Sequence, residues 1–279
     1  MKVKLHNFKK YNKHKTNKMK KIILLGFVAT MMVVGCKQEA KDAQVGAYKI
    51  EKQVIKGDSS ETTYLASDGN VQYKIYTPNE YFYVSVGKDS SVGFGVGTYT
   101  SKDGKIVETN IYNSGGLDTA ANFNLDIIKT EKGYTQVLNE ITMRGQKYKL
   151  TEEYTTVSGA ATSALDGVWK QLKDLVVTGK DTADKTYNEY KVYQNGHFAW
   201  AAHNKADSTS TKYTTYVGHG TFTLNKDALT ETLDLSNISG GAGIYNIVVT
   251  FNGTDEFTQK TVDSVKNVVD FKTYKKLKK

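Results

Sequence analysis

The chain has 279 residues, 39% hydrophobic and 24% charged, with 38 Lys and Arg against 29 Asp and Glu, a formal net charge of +9 and a single cysteine. Residues 1–35 hold nine of the lysines and no acid, so the chain from Cys36 onward carries 29 basic and 29 acidic residues and is formally neutral. That balance removes the case for a nucleic-acid partner, and one cysteine excludes a framework of internal disulfides.

The first element in chain order is an apolar run, Ile22 to Val34 (IILLGFVATMMVV), behind Lys20 and Lys21 and ahead of Gly35 and Cys36. A bilayer-spanning helix needs about 20 apolar residues, so this shorter run with a basic flank reads as a signal peptide over residues 1–35. With Cys36 directly after Gly35 the segment resembles the bacterial lipoprotein signal. The resemblance implies cleavage before Cys36, acylation of that cysteine by palmitate-like chains, and the membrane as a partner of the protein. Met19-Lys20-Lys21 and the apolar run form a complete signal by themselves, which predicts translation from Met19. Lys37 is not the aspartate that resembles an inner-membrane retention signal, so the expected location is the cell outer membrane, its periplasmic and surface faces both open. Residues 36–45, with the polar stretch Lys37 to Gln44, form the expected lipidated tether.

From Gly46 the pattern alternates. Val71 to Tyr76 and Tyr81 to Val86 flank Thr77-Pro78-Asn79-Glu80 as strand, turn and strand. Turn signals follow at Lys88-Asp89-Ser90, Lys102-Asp103-Gly104, Ser114-Gly115-Gly116, Glu131-Lys132-Gly133 and Arg144-Gly145-Gln146. The order of elements then repeats. Gly46-Ala47-Tyr48-Lys49 matches Gly167-Val168-Trp169-Lys170, Gly97-Thr98-Tyr99-Thr100 matches Gly220-Thr221-Phe222-Thr223, and Gly133-Tyr134-Thr135-Gln136 matches Glu256-Phe257-Thr258-Gln259. Tyr154 answers Tyr274, and the hairpin Val71 to Val86 is matched to Asn188 to His203 with Phe82 on Phe198. These matches predict an all-β protein of two tandem units, 46–157 and 166–279, joined by a linker at 158–165. Each unit offers about eight antiparallel strands, and eight can close on themselves and leave an interior for side chains or one small ligand. A closed up-and-down barrel is the first expectation and an open sandwich the second.

Gly167-Val168-Trp169 at the start of the second unit resembles the Gly-x-Trp signature of lipocalins, and that unit resembles the lipocalin-like domains of Bacteroidetes lipoproteins. The resemblance implies a barrel with a small-molecule cavity and gives Gly167 and Trp169 structural roles. Tyr48 stands in the first unit where Trp would stand. Lipocalins place an arginine over that Trp near the last strand; the single arginine here is Arg144, and lysines such as Lys275 occupy the corresponding region.

Few residues can carry chemistry. His197 and His203 share one strand face with Ala199 and Ala201, opposite Phe198, Trp200 and Ala202; the larger apolar face is expected inside, which turns the histidines to solvent. With His219 they are the only histidines after Cys36, no His-Glu-x-x-His spacing occurs, and no metal site or cofactor is expected. Phe82 and Val84, set against Phe198 and Trp200, are expected on the inner walls, either filling the core or touching a ligand. Gly93-Phe94-Gly95-Val96-Gly97 continues into a β pattern, so no helix N-terminus is present to hold phosphate. Glu152 and Glu153 point to opposite strand faces. Asp118-Thr119-Ala120 and Asp181-Thr182-Ala183 resemble a short O-glycosylation motif of Bacteroidetes exported proteins, and both also read as turns. Nothing pairs a nucleophile with a base, and no enzyme activity is expected. Two functions remain: a carrier of an apolar or amphipathic small molecule, or a non-catalytic subunit or surface accessory of an outer-membrane protein assembly.

Overall fold

The computed structural model describes residues 44–115, 121–143, 145–205 and 212–277, and its regular structure is β apart from one 3₁₀ turn at Ala66–Asp68. Cys36, the apolar run before it, Asp118-Thr119-Ala120 and Arg144 lie outside the described residues. The first unit runs β1 (Gly46–Lys56), β2 (Glu61–Leu65), β3 (Val71–Tyr76), β4 (Glu80–Val86), β5 (Val92–Lys102), β6 (Lys105–Asn113), β7 (Ala121–Lys129), β8 (Gly133–Met143) and β9 (Gln146–Val157). The second runs β10 (Gly167–Thr178), β11 (Asp181–Asp184), β12 (Glu189–Gln194), β13 (His197–Lys205), β14 (Tyr213–Asn225), β15 (Ala228–Ser236), β16 (Gly243–Phe251), β17 (Glu256–Asp263) and β18 (Val268–Lys276).

Each unit is a closed barrel. Neighbours pair antiparallel in chain order, and β1 closes on β9 as β10 closes on β18. Eight strands make each ring. The short β2 and β11 pair only with the far halves of β1 and β10, at Lys52–Lys56 and Leu175–Thr178, as side ribbons. Closure leaves no open sheet and removes the sandwich alternative.

The ladders fix the internal equivalence of the two units. Gly46 pairs with Tyr76 as Gly167 pairs with Tyr193. Tyr76 pairs with Tyr81 as Tyr193 pairs with Phe198, and Tyr81 with Gly97 as Phe198 with Gly220. A bulge falls at Val96/Gly97 in one barrel and at His219/Gly220 in the other. Phe198 is therefore the counterpart of Tyr81, and Trp200 of Tyr83. Matching Phe82 to Phe198 is a slip of one residue, and a one-residue slip exchanges the two faces of a strand.

Inside each barrel five aromatic positions correspond: Tyr48 with Trp169, Tyr76 with Tyr193, Tyr81 with Phe198, Tyr134 with Phe257, and Tyr154 with Tyr274. All are buried. Tyr48 meets Tyr134 edge-on at 4.8 Å, and Trp169 meets Phe257 edge-on at 4.6 Å; such pairs add roughly 0.5–1.5 kcal/mol each beyond burial. The Trp169 indole donates to the Leu165 carbonyl at 2.7 Å, and Lys276, not Lys275, sets its ammonium 5.2 Å from the ring centre.

A third core lies between the barrels. Ile75, Phe82, Val84, Phe94, Val96 and Tyr112 of the first pack with Val168, Tyr190, Val192, Ala199, Ala201 and Val217 of the second. Equivalent strands meet, β3 with β12, β4 with β13 and β5 with β14, so each barrel offers the same outer face to the other. Phe82 and Val84 are fully buried in this contact and do not stand on the inner wall of their barrel. The histidines do not face solvent either. His197, His203 and His219 are 5%, 2% and 2% exposed. His219 stacks on Tyr73 of the first barrel with ring centres 3.4 Å apart, and His203 lies 5.8 Å from Phe94 and 5.7 Å from Tyr112. The second barrel's outer face is covered by the first, which alternation within one strand cannot reveal.

Candidate functional site: two barrel cavities with polar floors

Each barrel holds a cavity partly open to solvent, of about 570 Å³ in the first and about 710 Å³ in the second. Both lie within the range of small-molecule sites, roughly 300–1,000 Å³. Room for the inward aromatic rings comes from glycines. A Cβ on Gly95 would run into the Tyr83 ring, and one on Gly218 into the Trp200 indole and Leu233. The glycine-rich stretch of β5 therefore lowers the wall opposite an aromatic side chain.

The floor of each cavity is polar and built from the same residue types at corresponding positions. In the first barrel Lys74 lies 2.7 Å from Glu108 and donates to Gln136 at 3.1 Å, while the Tyr76 hydroxyl donates to Glu108 at 2.5 Å. In the second, Lys191 lies 3.0 Å from Glu231 and donates to Gln259 at 3.3 Å, Tyr193 donates to Glu231, and Gln259 donates to the Tyr193 hydroxyl at 2.8 Å. All eight side chains are buried. A buried charge is tolerated when paired and hydrogen-bonded, and each floor meets that condition. Burial first and the adjacent carboxylate second push the Tyr76 and Tyr193 hydroxyls well above the ordinary tyrosine range, so both remain donors.

Above the floors the barrels differ. In the first, Glu152 accepts from Gln53 at 2.7 Å, Gln72 at 3.2 Å, Tyr154 at 3.1 Å and Gln136, all neutral donors. In the second, the positions of Gln53, Gln72, Leu150 and Glu152 hold Asp174, Glu189, Asp270 and Lys272. Lys272 sits 3.8 Å from Asp174 and 3.7 Å from Glu189, and Tyr274 donates to Glu189 at 2.5 Å. Oδ1 of Asp174 and of Asp270 are buried without a hydrogen-bond partner. Burial, reinforced by Asp270, pushes the Asp174 carboxyl up to about 7, and Glu189 foremost raises the Lys272 ammonium.

Of the four side chains expected at a ligand, Phe198 and Trp200 line the second cavity together with Leu233, Tyr245 and Ile247. Phe82 and Val84 line neither; Tyr81 and Tyr83 take their places in the first. The polar floors were not anticipated. The readable signal was the spacing Tyr76-x4-Tyr81 and Tyr193-x4-Phe198, each preceded two residues earlier by a lysine. Glu153, across the strand from Glu152, points outward to Lys52 at 3.4 Å. Among the described residues no group of His, Cys, Asp and Glu is arranged to hold a metal.

No family model and no curated protein matches the chain. Among solved structures it is similar to the isotype 1 transferrin binding protein B from serogroup B Neisseria meningitidis, at 8% identity over 83% of this chain and 76% of that one with a TM-score of 0.19. A likeness at that level carries no argument.

Proposed function

We propose that the chain is a non-catalytic, lipid-anchored protein of the bacterial outer membrane whose barrels bind amphipathic small molecules. The observation that carries this reading is the pair of cavities. Barrels of eight strands can fill their interiors with side chains, yet here about 570 and 710 Å³ remain open over a polar floor and an aromatic wall. An apolar wall with a few convergent polar groups is the usual make-up of a ligand pocket. The Gly-x-Trp start of β10 and the Lys276 cation over Trp169 support a lipocalin-like assignment, and Cys36 behind its apolar run supports acylation and the outer membrane.

The second reading, an accessory that docks on an envelope protein, is favoured by outward apolar residues on β16, where Ile244 is 69% and Val248 49% exposed. Native mass spectrometry on residues 37–279, recovered from a bacterial envelope extract under non-denaturing conditions, separates the two. A discrete added mass that is lost on denaturation is the expected result. A clean apo mass from every extract would overturn the carrier reading and leave the protein-docking one.

A further inference from the structure

The layer above the floor of the second cavity is short of positive charge. Asp174, Glu189 and Asp270 share one ammonium, Lys272, which stands 3.7–3.8 Å from Glu189 and Asp174. Glu189 has a further donor in Tyr274, but Asp174 and Asp270 stand carboxyl to carboxyl; Oδ1 of each is buried with no donor from another residue, and Asp270 lines the cavity. A buried polar group without a partner is costly, and more so a charged one. The first barrel is an internal control. The same four positions there hold two amides, Leu150 and Glu152, and the one carboxylate is satisfied by neutral donors.

We infer that the second barrel takes an organic ammonium, its charged end seated against Asp270 and its apolar body along Trp200, Tyr245 and Ile247. This rests on the carrier reading. The chemistry of the site selects the cation. An ammonium donates a hydrogen bond to the Asp270 carboxylate, whose Oδ1 lacks a donor, whereas a carboxylate ligand would add charge of the sign already in excess. A divalent metal ion would have to approach beside the Lys272 ammonium. Trp200, on the cavity wall, offers a ring face of the kind to which organic cations are attracted, and Leu233 and Ile247 complete an apolar wall for an alkyl or aryl body.

Residues 39–279 form one compact unit containing both barrels, so residues 37–279 can be titrated calorimetrically at pH 8 with three chain-matched probes: decylammonium, decan-1-ol and decanoate. Decylammonium is expected to bind at least tenfold more tightly than either of the others and to quench the fluorescence of Trp200. Asp270→Asn is expected to bring the ratio of decylammonium to decanol affinity toward one. Its carboxylate has an unpartnered oxygen, so the variant is expected to fold, which circular dichroism checks. Equal affinity for decylammonium and decanol, or a ratio unmoved by Asp270→Asn, would overturn the ammonium assignment and leave the carrier reading standing. Failure of all three probes to bind would overturn both.

Discussion

Replacing Lys74 by Met tests whether the cavity floor is the desolvated ion pair that the geometry describes. Lys74 and Glu108 have side chains 3% and 6% exposed and lie 2.7 Å apart. Methionine keeps most of the stem's volume, so packing changes little, and the loss is electrostatic. Glu108 keeps its hydrogen bond from Tyr76 at 2.5 Å but becomes a buried charge without a counter-ion, which costs about 3–5 kcal/mol. In a chain of this size that corresponds to a fall in Tm of roughly 6–20 °C, from about 2–4 °C per kcal/mol. Adding Glu108→Gln removes the stranded charge while keeping an acceptor for Tyr76, so the double variant is expected to recover most of the loss. Urea unfolding of the four proteins of the cycle measures the coupling, expected in the range of about 0.5–3 kcal/mol for groups in direct contact. If Lys74→Met costs less than about 1 kcal/mol, or if the double variant is less stable than the single, the floor is wet and the reasoning fails.

Four further tests follow from burial, charge and packing. His219 is held down to about 3, first by burial and then by His197 and Lys49. The unfolded chain binds that proton at about 6.5, so stability is expected to fall as pH drops below 6.5, by up to about 1.4 kcal/mol per pH unit; urea midpoints that His219→Phe leaves equally pH-dependent would count against it. Asp174 has the opposite sign. Its folded value of about 7 lies above the ordinary aspartate value of about 3.9, so its contribution is lost as pH rises from about 4 through about 7, and Asp174→Asn should flatten that limb of the urea midpoint curve. Phe82→Ala, in the core between barrels, is expected to cost about 3–5 kcal/mol while leaving any ligand mass unchanged in native spectra; Tyr83→Ala, on the cavity wall, should change ligand binding with a smaller loss, and the reverse pattern would refute the facing assigned to β4. Gly218→Val pushes a side chain into Trp200 and Leu233, with an expected loss of about 1–3 kcal/mol and a shifted Trp200 emission; unchanged emission would show that the indole does not lie against β14.

The all-β fold and its two closed rings were legible because glycine turns and the repeat are local features. Gly97 and Gly220 could be matched because both sit at a bulge where a Cβ would meet the carbonyl of the next strand, Thr109 or Thr232. The hairpin was the weak point. Its residues alternate aromatic and aliphatic on both faces, so similarity of type allowed a match of Phe82 to Phe198 that the ladder does not permit. The Tyr-x4-aromatic spacing across the turn gives the right register because both loops hold four residues between paired positions.

What could not be read was the inversion of pattern at the contact between barrels. On β3 the apolar Tyr73 and Ile75 pack toward the other barrel, while Gln72 and Lys74 line the cavity. On β12 Tyr190 and Val192 face the contact, and Glu189 and Lys191 face inward. An alternation rule that sends polar residues to water assigns these strands the wrong way round, because both of their faces are buried and the second burial is supplied by residues more than 100 positions away. The inverted strands are the ones that meet, β3 with β12, and through β4 with β13 they carry Phe82 and Ala199 to the contact. The contact and the polar floors therefore have one origin. A strand that gives its apolar face to a neighbouring barrel has only its polar face left for the cavity, and in both barrels that face supplies the lysine around which the floor is built.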